Sequence, residues 1–258
     1  MAYSETYRRM LNKMGYYNYQ QRLIYRHLNQ EGGWDTHLER CRIFILKALD
    51  YYKPRKVTIL GSGWLLELPL SEMIGMTEEI NLVDIIHPPE VKQQVAILKK
   101  VKVSEADVTG GLIEEVWNKT RKRFFFNRLK SLDSIQIPEY QPEEDPGLVI
   151  SLNILTQLES LVVDFLKKRA AISEEELFSF RSEIQDRHIR FLQKYKSVLI
   201  TDTAEIFSDK SGRTVTNNSV VTVIPEGSYR EEWTWNFDLK GSDYINKRSV
   251  LKVVAIIL

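Results

Sequence analysis

Five short apolar runs, each ending in small or acidic residues, most constrain what this chain can fold into. They are VTIL before Gly61-Ser62-Gly63, INLVDII at 80–86, VKVSEADV at 101–108, LVISL at 148–152 and SVLIT at 197–201. Runs this short and this apolar predict strands buried on both faces. Helical patterns stand between them. Asp35 is read as the N-cap of a helix whose stripe is Leu38, Cys41, Ile45, Ala48, Leu49 and Tyr52, stopped by Pro54. Pro69 delays or kinks the helix of LLELPLSEM, and Pro88-Pro89 opens one through Lys99. A further helix is expected over 154–168. Ser173 and Glu176 form a capping box for another, with the stripe Leu177, Phe180, Ile184, His188, Phe191 and Tyr195. Strands alternating with helices predict an α/β, doubly wound, mostly parallel sheet. After 201 the pattern changes. Stretches 220–224, 232–239 and 249–258 read as strands with no long helix between them, which predicts an antiparallel edge.

The tyrosine-rich segment 1–33 precedes this alternation and reads as helical pieces ending near Gly32-Gly33. The division expected is a helical cap over 1–34 and one α/β domain over 35–258, which suits a chain of 258 residues. With 36 Lys and Arg against 35 Asp and Glu, the net charge of +1 provides no general basic field for nucleic acid. The basic, aromatic stretch NKTRKRFFFNRLK at 118–130 could pair phosphates and stack on bases, so RNA is a weakly supported partner. The favoured reading is an amphipathic connection with its charges solvated. A single cysteine, Cys41, excludes an internal disulfide and any site with two thiolates, and it fits a reducing compartment. It lies on a helix stripe and reads as a buried structural thiol. The apolar runs are too short to span a membrane and the start lacks a secretory signal, so the expectation is a cytoplasmic protein. His27, His37, His87 and His188 have no ligand spacing, and no metal site is expected.

In an open α/β sheet, ligands bind beyond the carboxyl ends of the strands, so the residues there are the candidates. Gly61 and Gly63 permit a tight turn and close backbone approach, although Trp64 and Leu65 stand where a third glycine would complete either usual fingerprint. Asp84 ends the second run, 21 residues beyond Gly63, and is the only charge in it. A carboxylate there can accept from both hydroxyls of a ribose. Asp107 ends the third run and suits an adenine amino group or caps the following helix. Ser151 and Asn153 end the fourth and suit a ligand or a helix cap. Aromatic residues of the cap (Tyr16, Tyr17, Trp34) and His27 could close over a substrate, with packing the better reading. Trp233 and Trp235 read as part of an exposed or half-buried strand.

In the order VTILGSG, INLVDII, VSEADVTG and DPGLVISLNILTQL, these stretches resemble the class I S-adenosylmethionine-dependent methyltransferases, and SVLKVVAIIL is similar to that family's last, antiparallel strand. The resemblance implies a Rossmann-like, seven-stranded sheet and S-adenosylmethionine as methyl donor. It implies that Gly61, Ser62 and Gly63 face the methionine and ribose, and that Asp84 holds the ribose hydroxyls with Ile85 near the adenine. Asp107 would accept from the adenine amino group beside Val108. Ser151 and Asn153 would lie at the methionine end. Methyl transfer is a displacement that needs alignment above all, and no catalytic residue is named. The acceptor expected is a small molecule. The alternatives are an NAD(P)-dependent oxidoreductase, which shares the glycine turn and Asp84, and a non-catalytic module that binds a nucleotide or a partner on the same fold.

Overall fold

The computed structural model describes residues 3–121, 128–241 and 247–258. Its centre is one sheet. Strands β1 (Lys56–Leu60), β2 (Glu79–Asp84), β3 (Val101–Glu105), β4 (Leu148–Leu152) and β5 (Ser197–Asp209) pair in parallel, in the order β3-β2-β1-β4-β5. Beyond them lie β7 (Tyr229–Asp238) and β8 (Lys247–Ile257). The last strand, β8, inserts antiparallel between β5 and β7. The fold is therefore the mostly parallel α/β sheet with an antiparallel last strand. Among the described residues it has eight strands rather than seven, because β5 runs on past Thr201 and its outer half pairs with a short β6, Thr214–Asn218.

Alternate strand positions enter two different cores, which is why the runs are apolar throughout. Ile59, Leu82, Ile150 and Ile200 pack with Cys41, Phe44 and Ile45 of α3 (Asp35–Tyr52) and with Met73 of α4 (Leu70–Met76). Leu60, Val83, Val149 and Leu199 face the other way. They meet α6 (Leu112–Thr120), α7 (Ser160–Arg169), α8 (Glu174–Leu192), and Met10, Leu11 and Met14 of α1 (Glu5–Met14). A second N-terminal helix, α2 (Tyr16–Asn29), follows Gly15 directly.

Several boundaries depart from expectation. Asp35 is the first residue of α3, and Trp34 is its cap. Helix α5 stops at Val95, so it spans Pro89–Val95 rather than reaching Lys99. The helix expected from Ile154 begins at Ser160. Leu155–Glu159 turns first, and that turn buries Glu159 against Arg181 (3.0 Å) and Gln185 (3.2 Å). The capping box is half formed: the Ser173 hydroxyl accepts from the Glu176 amide at 3.1 Å, but the Glu176 carboxylate takes the Ser131 hydroxyl and the Leu132 amide instead. The stretch 220–224 is irregular chain rather than a strand. Of the basic aromatic stretch, 122–127 lies outside the described residues; Lys119, ahead of it, pairs with Glu115 at 3.6 Å. No described helix is long and apolar enough to cross a membrane.

Candidate functional site

The chain leaves β1 for β2 and β3 on one side, then returns to β4 on the other, so the carboxyl ends of β1 and β4 flank the point where strand order reverses. A cleft of about 980 Å³, counting the space open to solvent at its mouth, lies there. Gly61, Gly63, Asp84, Ile85, Asp107, Val108 and Asn153 all line it. The fold thus brings seven of the nine candidate residues to one place. Ser62 and Ser151 are the two that do not line it.

The turn after β1 is set by two different demands. The amides of Gly61 and Ser62 donate to the Val83 carbonyl at 2.9 and 3.3 Å, which pulls the chain sharply over the end of β2. Gly61 has φ +84°, and a Cβ there would stand 2.6 Å from the Leu152 carbonyl oxygen. Gly63 has φ +45°, and its nearest neighbour would be Asp84 Oδ2 at 3.8 Å, so it borders open space. The missing third glycine is a leucine in a glycine's conformation: Leu65 has φ +61°. That geometry costs about 1–2 kcal/mol for an L-residue. Leu65 is buried in the core under α3, and burying a leucine contributes about 1.5–3 kcal/mol. The turn therefore keeps its shape without the fingerprint. Gly63→Ala should destabilise the fold by only about 1–2 kcal/mol, through backbone strain, while filling the space beside Asp84 and weakening ligand binding at least tenfold. Thermal melting and calorimetry on the same variant check this, and unchanged affinity would remove Gly63 from the site.

Asp84 is 6% exposed. Its Oδ2 accepts from the Gly63 amide at 2.8 Å, and its Oδ1 from Gln20 Nε2 at 3.3 Å and, marginally, the Ile86 amide at 3.5 Å. These bonds favour the carboxylate, but burial outweighs them and pushes its pKa up to about 6. Asp107 serves its own loop. Its Oδ1 accepts from the Thr109 amide (2.9 Å) and hydroxyl (2.5 Å), and its Oδ2 from Ile113 N in the first turn of α6 (3.4 Å). It too is raised by burial. It thus ties the loop ahead of α6, whose cap residue is Gly111, to the first turn of that helix, and it lines the cleft as well.

Ser62 and Ser151 are captured by histidines. Ser62 Oγ lies 2.8 Å from His87 Nε2, and Ser151 Oγ 2.8 Å from His188 Nε2. All four side chains are buried. Burial holds both imidazoles neutral, with pKa values pushed down to about 4. Each pair has the atoms of a nucleophile and base, but neither serine reaches the cleft. They tie strand ends to the α5 loop and to α8.

Sequence reasoning did not single out Gln20, Glu67 or His37, and it underrated Trp235. Gln20 crosses from α2 to Asp84, and the Trp64 indole donates back to its carbonyl at 2.9 Å. Trp235 is buried rather than half-exposed. It stacks on His37 at 3.8 Å and meets Trp34 edge-on at 4.8 Å. Tyr16 and Trp34 are both packed and cleft-lining, whereas Tyr17 and His27 do not line the cleft. His37 is fully buried and neutral, its pKa pushed down to about 3. Its Nδ1 accepts from the Trp233 indole at 3.1 Å, and the Asn153 amide lies 3.1 Å from Nε2. The Asn153 side-chain amide also lies 3.4 Å from Glu67 Oε1. Burial raises the Glu67 carboxyl, opposed by Asn153 and the charge of Arg42. The only available signal for Glu67 was its place as the sole charge in WLLELPL.

No protein-family description and no curated protein matches this chain. Among solved structures, a DhpI complex with SAH is similar at 10% identity and TM-score 0.36, covering 96% of this chain and 97% of that one. The methyltransferase domain of bacterial CtHen1-CN is similar at 10% identity and TM-score 0.31, covering 83% and 95%. The precorrin 8W decarboxylase of Methanobacterium thermoautotrophicum is similar at 14% identity and TM-score 0.27, covering 84% and 89%. At such low scores, the case for a function rests on the cleft itself.

Proposed function

We propose that the cleft binds S-adenosylmethionine and that the protein transfers its methyl group to a small molecule. The observation that carries this reading is Asp84, a buried carboxylate at the end of β2 that is tied to the Gly63 amide and borders unfilled space at the reversal of strand order. A carboxylate held in such a place is stabilised by hydroxyl donors, and a ribose edge supplies two. Gln20 Oε1 beside it is a buried acceptor with no partner among the described residues, so this wall has capacity to spare for a donor-rich ligand. Asp107 has lone pairs left for an adenine amino group, and Ile85 and Val108 offer apolar surface to the ring. Gly61 and Gly63 let the backbone approach the methionine part, and Asn153 borders its far end. Ser62 and Ser151 support the walls through their histidines. Residues 1–34 act as a cap over the domain at 35–258, with Tyr16 and Gln20 lying against the ligand.

When bound, S-adenosylmethionine would supply a sulfonium methyl group that a nucleophile takes in one displacement, with the thioether S-adenosylhomocysteine as the leaving group. The chain's part is to align the partners and keep water out. The inserted antiparallel β8 and the carboxylate at the third strand favour this reading over an NAD(P)-dependent oxidoreductase. Thermal melting with S-adenosylmethionine, S-adenosylhomocysteine, NAD and NADP tests it. At a hundredfold excess over Kd, the two S-adenosyl compounds should each add about 2.7 kcal/mol, or roughly 5–10 °C for a chain of this size. A shift with NAD or NADP instead would move the assignment to hydride transfer. A shift with none of the four would leave a non-catalytic module.

A further inference from the structure

We infer that the methyl acceptor carries a phenol-like hydroxyl, whose oxygen takes the indole N–H of Trp235 and whose proton goes to Glu67. The inference rests on the methyl-transfer reading and names its substrate class.

An unmet donor is the first argument. The Trp34 indole donates to the Phe237 carbonyl at 3.0 Å, that of Trp64 to the Gln20 carbonyl at 2.9 Å and that of Trp233 to His37 Nδ1 at 3.1 Å. Trp235 is 5% exposed and lines the cleft, yet its Nε1–H has no acceptor among the described residues. An indole nitrogen only donates, so no change of tautomer removes the deficit. His37, stacked on Trp235 at 3.8 Å, supplies no acceptor either. Its Nδ1 is taken by Trp233, and its Nε2 carries the proton towards the Asn153 amide. The rings of Trp34 and Phe237 meet Trp235 edge-on at 4.8 and 4.9 Å, and a ring face is a weaker acceptor than an oxygen. A buried donor left bare needs an explanation, and a ligand oxygen provides one.

The second argument is the kind of oxygen. The described residues lining the cleft include no lysine, arginine or histidine, so an anionic group would find no cation to pair it. An ammonium brings donors and no acceptor, and would leave Trp235 bare. A hydroxyl is neutral and both accepts and donates. Glu67 is placed to take what it donates. It lines the same cleft, its side chain is 16% exposed, and its Oε1 lies 4.0 Å from His37 Nε2, so Glu67 and Trp235 both border His37. The other two carboxylates, Asp84 and Asp107, are held by the loops after β1 and β3. Trp34, Trp64, Leu23 and Leu66 give an aromatic body its apolar walls.

In the step, the phenol oxygen bonds to the methyl carbon as the carbon–sulfur bond breaks and its electron pair goes to sulfur. The O–H proton passes to Glu67 Oε. A phenol, a sulfonium and a carboxylate become an aryl methyl ether, a thioether and a neutral acid. Burial of Glu67 raises its affinity for that proton, and a phenol, with a pKa of about 10, can release it.

The test uses the whole chain saturated with S-adenosylhomocysteine. 2-Naphthol and 4-ethylphenol are titrated by calorimetry against 4-ethylbenzylamine and 4-ethylbenzoate, which put a cation and an anion on a body of similar shape. Both phenols should bind about tenfold more tightly than the amine and the acid, and with labelled S-adenosylmethionine they should become methyl ethers. Trp235→Phe keeps a ring against His37 and removes the N–H. It should weaken phenol binding about tenfold and leave S-adenosylhomocysteine affinity within about twofold, which also shows that the variant is folded. Glu67→Gln still offers an acceptor. It should keep phenol affinity within about threefold, lower kcat by about a hundredfold or more, and abolish the rise of kcat with pH. An amine or acid that binds as well as the phenols, no phenol binding at all, a Trp235→Phe chain with undiminished phenol affinity, or a Glu67→Gln chain with the parent kcat would each overturn the inference. So would a Trp235→Phe chain that loses S-adenosylhomocysteine, because the N–H would then belong to the carboxylate of the donor. The two readings fail separately. A parent chain that does not bind S-adenosylhomocysteine removes the donor, whereas one that binds it but discriminates against phenols removes only the acceptor class.

Discussion

At pH 7 the Asp84→Asn variant should melt at a higher temperature than the parent chain while binding S-adenosylhomocysteine at least tenfold more weakly. The two effects have one cause. Asp84 has an ordinary pKa of 3.8 and is pushed up to about 6 in the folded state, with burial as the largest contribution. Between those values the folded chain holds a proton that the unfolded chain has released. Stability therefore falls as pH rises from about 4 to about 6 and stays low above that. A shift of this size corresponds to about 3 kcal/mol of destabilisation at pH 7, since each pKa unit is worth about 1.4 kcal/mol. Asparagine removes the buried charge but keeps an oxygen for the Gly63 amide. Its new N–H2 meets Gln20, whose Oε1 is free to accept once the amide turns over. The gain at pH 7 should reach a few degrees and vanish near pH 4, where the parent carboxyl is also neutral. The loss on the ligand side follows from replacing a charged acceptor by a neutral one, worth about 1.5–3 kcal/mol for a hydrogen bond to a charged group. Comparing the two proteins across pH 4 to 7 cancels the other titrating groups. If their stabilities run in parallel over that range, Asp84 is solvated and the argument for its role goes with it.

The same burial that makes Asp84 informative in the structure makes it visible in the sequence: one acid inside INLVDII is either a ligand group or a solvated strand-end carboxylate. The parallel strands were legible for a similar reason, since each position feeds one of two cores and no polar alternation interrupts the run. What the sequence hid was direction and long-range capture. Ser62 and Ser151 stand at strand ends as expected, but histidines 25 and 37 residues away take their hydroxyls. VVTVI at 220–224 has strand composition, yet the Val221 backbone is satisfied by side chains, its amide donating to Gln185 at 2.8 Å and its carbonyl accepting from Ser182 at 3.0 Å. The strand beside it, β6, is exposed at every position and carries no apolar pattern to read. Gln20 reaches Asp84 across 64 residues, a contact no local pattern encodes. Leu65 shows the reverse: the sequence lacks the third glycine, while the backbone keeps the conformation a glycine favours.

Gly61→Ala should destabilise the protein by about 2–5 kcal/mol, combining left-handed strain of about 1–2 kcal/mol with overpacking of about 1–3 kcal/mol. The new methyl group would meet the Leu152 carbonyl oxygen at 2.6 Å and the Ile154 Cβ at 2.9 Å. Neither is the movable tip of a side chain. Leu152 is held in register with Ile200 of β5, and the residue before it, Ser151, with Leu60 of β1. To make room, either β4 must separate from β1 or the turn must lift away from the Val83 carbonyl that anchors it. Gly63 lies two residues on, in the same left-handed region, with nothing within 3.8 Å of the added carbon. Its alanine variant should therefore keep most of the stability and lose the ligand. Urea unfolding of both variants separates the roles, provided the dependence on denaturant is unchanged. A Gly61→Ala chain within about 1 kcal/mol of the parent would mean that the end of β4 yields, in which case it is not the rigid wall that Asn153 needs. A large loss at Gly61 beside a small one at Gly63 would mean that two glycines alike in sequence are required for different reasons, the first by packing against β4 and the second by what the cleft holds.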